Sequence, residues 1–195
     1  CISCSDTTLD SIATHCAHYL HKLDLLQCTN FTAASIQNVV RQCSSLTHLQ
    51  LSRNKLCSRE LGEMVSHCSQ LVSLELREPY LSIDDSVVYE ICVHLKNLKH
   101  LHFSGYHVVV TEVALVRLLT ILNTIHSVHI IHVNRDYCDL RVVAAIDHCH
   151  CLKELHVGYC SEAVHKALAK LRIMCVEQKR DLVVEAMTQF SRACC

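Results

Sequence analysis

One pattern recurs down this chain and leaves little freedom for its fold: an apolar residue, two variable residues, a second apolar residue, one variable residue and a third apolar residue. It stands at Leu20, Leu23 and Leu25; at Leu46, Leu49 and Leu51; at Leu71, Leu74 and Leu76; at Leu98, Leu101 and Phe103; at Ile125, Val128 and Ile130; and at Leu152, Leu155 and Val157. Successive copies start 26, 25, 27, 27 and 27 residues apart. A fixed period of roughly 20 to 50 residues marks a chain of stacked supersecondary units. The last two apolar positions, one residue apart, have the period of a strand. Such a strand is too short to bury its apolar face alone, so neighbouring copies must stack and share a core.

Two further columns keep step with the first. Three residues before the leading apolar position stand Cys43, Cys68, Leu95, Leu122 and Cys149, with Cys16 one residue out of step before Leu20. They close segments of helical periodicity, such as Ile36, Val39, Val40 and Cys43, or Val113, Val116, Leu119 and Leu122. Three residues after the last apolar position stand Cys28, Asn54, Pro79, Tyr106, Val133 and Cys160, with Cys4 in a partial leading repeat, and here the strand turns away. Cysteine suits these places because it is small, buries readily and keeps a weak donor.

Each repeat therefore reads strand, turn, helix, with a period inside the roughly 20 to 29 residues of leucine-rich repeats. The expected fold is an α/β leucine-rich repeat solenoid, a horseshoe with parallel strands on the concave side and helices on the convex side. Residues 1–174 read as a partial leading repeat plus six, the chain opening in mid-repeat at Cys1 as a fragment would. Residues 175–195 read as a C-terminal capping helix and tail. The stripe Ala163, Leu168, Leu171, Val176, Val183, Met187 and Phe190 would cover the last core face.

The segments Leu20-His21-Lys22-Leu23-Asp24-Leu25-Leu26-Gln27-Cys28 and Leu152-Lys153-Glu154-Leu155-His156-Val157-Gly158-Tyr159-Cys160, with helix-ending Cys43, Cys68 and Cys149, resemble the cysteine-containing repeats of F-box/LRR proteins. The resemblance covers about residues 1–174. It implies the substrate-holding part of a cullin-RING ubiquitin-ligase receptor, in which a separate F-box docks the Skp adaptor. No F-box-like helical segment lies in this chain. The turns at Pro79, Tyr106 and Val133 depart from the family's cysteine or asparagine ladder.

Composition excludes several other functions. Lysine plus arginine (18) nearly balances aspartate plus glutamate (19), and the basic residues are scattered. Nucleic-acid binding needs clustered cations to neutralise phosphates, so none is expected. No apolar run approaches the ~20 residues of a spanning helix. Seven of the fifteen cysteines hold repeat positions. That argues for reduced thiols in a cytoplasmic or nuclear protein over a disulfide scaffold. An enzyme would show a nucleophile beside a base, paired carboxylates or a phosphate-cradling loop, and none stands at a useful spacing. No cofactor is implied.

The expected contact surface is the concave strand face. Its column between the last two apolar positions reads Asp24, Gln50, Glu75, His102, His129 and His156. Two residues earlier on the same face stand Lys22, His48, Ser73, His100, Ser127 and Glu154, and His132 joins from a strand end. Histidine's ordinary pKa of about 6.5 makes this a patch whose charge changes near neutral pH. The alternative is an ordinary solvated strand face. Tyr80, Tyr106, Arg135 and Tyr137, in the turns of the longer middle repeats, are residue types that anchor interfaces, although aromatic rings also pack irregular turns.

The leading function is thus a protein-binding module holding a ligase substrate. A free-standing repeat scaffold without a ligase link is the alternative. A third reading is metal or redox sensing, with His102, His129 and His156 sharing a divalent ion or the His148-Cys149-His150-Cys151 run acting as ligands.

Overall fold

In a computed structural model, residues 4–131, 140–160, 162–178 and 180–187 are described. Among them strands and helices alternate: α1 (Asp6–His15), β1 (Lys22–Leu25), α2 (Ala33–Gln42), β2 (His48–Ser52), α3 (Ser58–Ser66), β3 (Ser73–Arg77), α4 (Asp85–His94), β4 (His100–Ser104), α5 (Glu112–Ile121), β5 (Ser127–Ile131), α6 (Leu140–His148), β6 (Glu154–Tyr159), α7 (Glu162–Glu177) and β7 (Val183–Met187). The strands form one parallel sheet in the order β1 to β7. Each strand pairs with its sequence neighbour, so the chain is an α/β leucine-rich repeat solenoid.

The register matches the sequence columns residue for residue. Leu23, Leu49, Leu74, Leu101, Val128 and Leu155 form one ladder, and Leu25, Leu51, Leu76, Phe103, Ile130 and Val157 the next. All twelve are buried against helix residues such as Ile36, Met64, Val87, Leu115 and Ile146. A helix with its side chains is roughly 10 to 12 Å across, whereas strands lie about 4.8 Å apart. The helix layer therefore needs more room per repeat, which puts the strands on the inner side of the bend.

The helix-ending column has a hydrogen-bond origin. The N–H of the first apolar residue donates to the carbonyl three residues back, Leu46 to Cys43 at 3.1 Å, Leu71 to Cys68 at 2.9 Å, Leu98 to Leu95, Ile125 to Leu122 and Leu152 to Cys149 each at 3.1 Å. Leu20 instead donates to Cys16, four residues back, at 3.0 Å. That longer turn is why Cys16 falls out of step. Helix N-termini are tied across repeats as well: Asp6 Oδ1 accepts from Thr32 N–H and Asp85 Oδ1 from Thr111 N–H, both at 2.6 Å.

Gln27, Arg53 and Glu78 are left-handed, with φ of 64°, 47° and 45°, and Gly105 has φ of 131°. All four stand two residues after the last apolar strand position, where the chain leaves the sheet. At three of them the turned N–H reaches the next repeat's strand-exit carbonyl: Arg53 to Arg77 at 3.0 Å, Glu78 to Ser104 at 2.7 Å and Gly105 to Ile131 at 3.4 Å. In the following column Cys28, Asn54, Pro79 and Cys160 are buried but Tyr106 is exposed. Val133 lies outside the described residues.

The C-terminal expectation needs correcting. The single helical stripe read through Val183 and Met187 is interrupted: α7 ends at Glu177, and Val183–Met187 form β7 on β6. The edge of β6 offers unpaired backbone donors and acceptors, and Val183 N–H takes the Lys153 carbonyl at 2.7 Å. Strands β2 to β6 make the equivalent bond, as Ser73 does to Thr47. Phe190 and the terminal cysteines lie outside the described residues.

Candidate functional site

Strand alternation turns the intervening residues to the face that no helix covers. Register aligns Asp24, Gln50, Glu75, His102, His129, His156 and Glu185 across it, and beside them Lys22, His48, Ser73, His100, Ser127, Glu154 and Val183. Glu75 is nearly buried in this face, where Arg77 Nε donates to it.

The three consecutive histidines form a ladder. The ring centroids of His102 and His129 are 5.2 Å apart, and those of His129 and His156 are 4.2 Å apart and stacked. Backbone strand spacing sets this separation. Carboxylates bracket the ladder's end. Glu154 Oε1 is 2.9 Å from His156 Nε2, its Oε2 is 3.3 Å from His129 Nε2, and Glu185 Oε2 is 3.1 Å from His156 Nδ1. At the other end His102 Nε2 hydrogen-bonds Ser104 Oγ at 3.1 Å.

The expected charge change near neutral pH fails at His102. Burial, opposed by Glu75 and reinforced by Arg77 and the other two histidines, drives its pKa down to about 4. His102 is therefore a neutral imidazole at physiological pH. His48 is also pushed down, by burial first and then by Lys22 and His100. Burial pushes the Glu154 carboxyl up, but its contacts with His156 and His129 outweigh that and hold it below its ordinary value.

The expected ligand trio also changes membership. His129, Glu154 and His156 place ligand atoms within 4.8 Å of one another, and His102 is not in that group. Two members of the His148–Cys151 run are committed elsewhere: Cys149 is in the core and His148 Nδ1 hydrogen-bonds the Ala144 carbonyl at 2.9 Å. His100 is exposed, edge-on to His126.

Tyr80 and Tyr106 are 49% and 67% exposed on the loops after β3 and β4, so they are free to touch a partner. A parallel bridge between Ile83 and Val108 holds these loops side by side. Leu81 on the first of these loops is also exposed, at 44%; its position in no repeat column hid it from a reading by columns. His132, Arg135 and Tyr137 lie outside the described residues. Nearby, Gln27, Ser52, Arg53, Arg77, Glu78 and Ser104 line a polar depression of about 290 Å³, with Arg53 Nε donating to Glu78 Oε2 at 2.8 Å. Glu154 stood in a sequence column, but its reach to two histidines was not legible there. Glu185 was missed because its segment read as helix.

No family model and no curated protein matches the chain. Among solved structures it aligns with the tropomodulin C-terminal domain of Caenorhabditis elegans at 11% identity and a TM-score of 0.46, covering 91% of this chain and 96% of that one. The fold assignment rests on strand order and register. Among the described residues no helix is long and apolar enough to cross a membrane.

Proposed function

We propose that this solenoid holds another protein against its open strand face and the rim formed by the loops after β3 and β4. The observation that carries the reading is the exposure of Tyr80, Leu81 and Tyr106, large apolar groups on two loops that the Ile83–Val108 bridge holds together. They sit at the edge of a face whose side chains are polar and partly buried. Exposed apolar patches rimmed by polar residues mark interaction surfaces, and tyrosines are frequent hot spots. The resemblance carried by Leu20–Cys28, Leu152–Cys160 and the helix-ending cysteines supports a finer reading. In it the held protein is the substrate of an F-box-type ubiquitin-ligase receptor, working with a Skp adaptor and a cullin-RING ligase in the cytoplasm or nucleus.

Affinity capture from cells tests both levels. Tyr80→Ala with Tyr106→Ala should reduce capture of a specific partner at least tenfold, while Arg59→Ala with Lys166→Ala on the helix face leaves it unchanged. Equal capture by both pairs overturns the binding face. Full-length protein that captures its partner without Skp or cullin subunits overturns the ligase reading alone.

A further inference from the structure

We propose that His129, Glu154 and His156 form a binding site for one zinc-class divalent ion on the open strand face, with Glu185 positioning His156. The three ligand groups come from β5 and β6, strands paired on both sides and in regular register from Glu154 to Val157, so backbone pairing sets their spacing. Zinc bonds of roughly 2.0 to 2.1 Å in a tetrahedron separate ligand atoms by about 3.3 Å. Glu154 already stands at that separation from one ring, with Oε2 3.3 Å from His129 Nε2, and somewhat closer to the other, with Oε1 2.9 Å from His156 Nε2. One ring nitrogen of each histidine and one Glu154 oxygen all lie within 4.8 Å of one another. A turn about χ2, whose wells are broad, closes the remainder.

Two features point to a ligand beyond proximity. His129 Nε2 is buried and makes no hydrogen bond, although Glu154 lies beside it. Zinc would satisfy that nitrogen. The second is the carboxylate behind the ring: Glu185 Oε2 is 3.1 Å from His156 Nδ1, so Nδ1–H can donate to it while Nε2 faces the ion. Histidine ligands of metals characteristically carry such a partner, which fixes tautomer and ring orientation. Two imidazoles and one carboxylate suit zinc, whereas calcium and magnesium prefer all-oxygen sets. Three protein ligands leave a fourth position open to water or to a group from outside. The inference does not rest on the partner reading, because the ion is added to purified protein alone.

The test is zinc titration of the purified, reduced chain by calorimetry and elemental analysis, with cobalt as a spectroscopic substitute. Because the chain holds 16 histidines and 15 cysteines, the readout is a difference between variants. Wild type should bind one more ion per chain than Glu154→Gln, His129→Gln or His156→Ala, each checked for intact fold by circular dichroism. Bound cobalt should give the visible bands of a tetrahedral nitrogen and oxygen set, without the thiolate charge-transfer band. Glu185→Gln should weaken the site by about 10- to 100-fold. His102→Gln should leave it intact. Equal stoichiometry in wild type and folded variants, or loss of the site in His102→Gln, overturns the proposal.

Discussion

Replacing Gly105 by alanine should damage the solenoid at its middle. The φ of 131° lies where L side chains rarely go, and holding alanine there costs about 1 to 3 kcal/mol. The new Cβ would also stand 2.9 Å from Glu78 Cα and 3.1 Å from Glu78 N. Those backbone atoms cannot easily retreat. Glu78 is itself left-handed, and its N–H is committed to the Ser104 carbonyl at 2.7 Å. Overpacking of this kind adds about 1 to 3 kcal/mol, so Gly105→Ala should lose at least ~2 kcal/mol in total. At the same turn position one end of the chain makes the control. Gln27, with φ of 64°, already carries a side chain. In Gln27→Gly, relief of about 1 to 2 kcal/mol of left-handed strain is offset by about 0.5 to 1 kcal/mol of glycine entropy, leaving a small net change. Urea unfolding followed by circular dichroism gives both values, and hydrogen exchange at the Glu78 and Gly105 amides locates the damage. A Gly105→Ala midpoint equal to wild type, or equal losses in both variants, would refute the account of this turn.

Burial lifts the Cys68 thiol to about 12 and the Cys92 thiol to about 11 from an ordinary 9.0. Above pH 9 the unfolded chain gives up these protons while the folded chain keeps them, so stability should fall as pH rises, on the order of 1.4 kcal/mol per pH unit for Cys68. Denaturation at pH 7, 9 and 10.5 should show a shallower decline in Cys68→Val; identical slopes would count against it. Under native conditions at pH 8, iodoacetamide should label exposed Cys151 and spare Cys68 and Cys92, as read by peptide mass spectrometry. Asp85→Ala removes the acceptor of both Thr111 N–H and Thr111 Oγ1. It should cost about 1 kcal/mol and speed exchange of the Thr111 amide; an unchanged amide would contradict the cross-repeat tie. Leu74→Ala, at a fully buried ladder position, should cost about 2 to 5 kcal/mol by the same unfolding assay.

Much of this molecule was legible before any coordinates. Leu23, Leu49, Leu74, Leu101, Val128 and Leu155 declare one strand ladder because stacked identical units must place equivalent residues side by side. Even the slip at Cys16 was visible, and it corresponds to a turn longer by one residue. The His102, His129 and His156 column followed from the same logic. All of these are consequences of period and register, which a linear sequence carries.

Side-chain reach and edge pairing are not carried that way. Val176, Val183 and Met187 keep a helical spacing, yet Val183–Met187 is a strand because the edge of β6 had backbone groups to satisfy. That choice brings Glu185 beside His156. Glu154 bridges two histidines only because its side chain leans across from the neighbouring position of the pleat. His102 loses its charge to burial, which its neighbours in space impose. Sequence alone therefore determined the stack and its columns, since local periodicity dictates them; tertiary structure decided which members of a column meet, because burial and distance exist only once the repeats are packed.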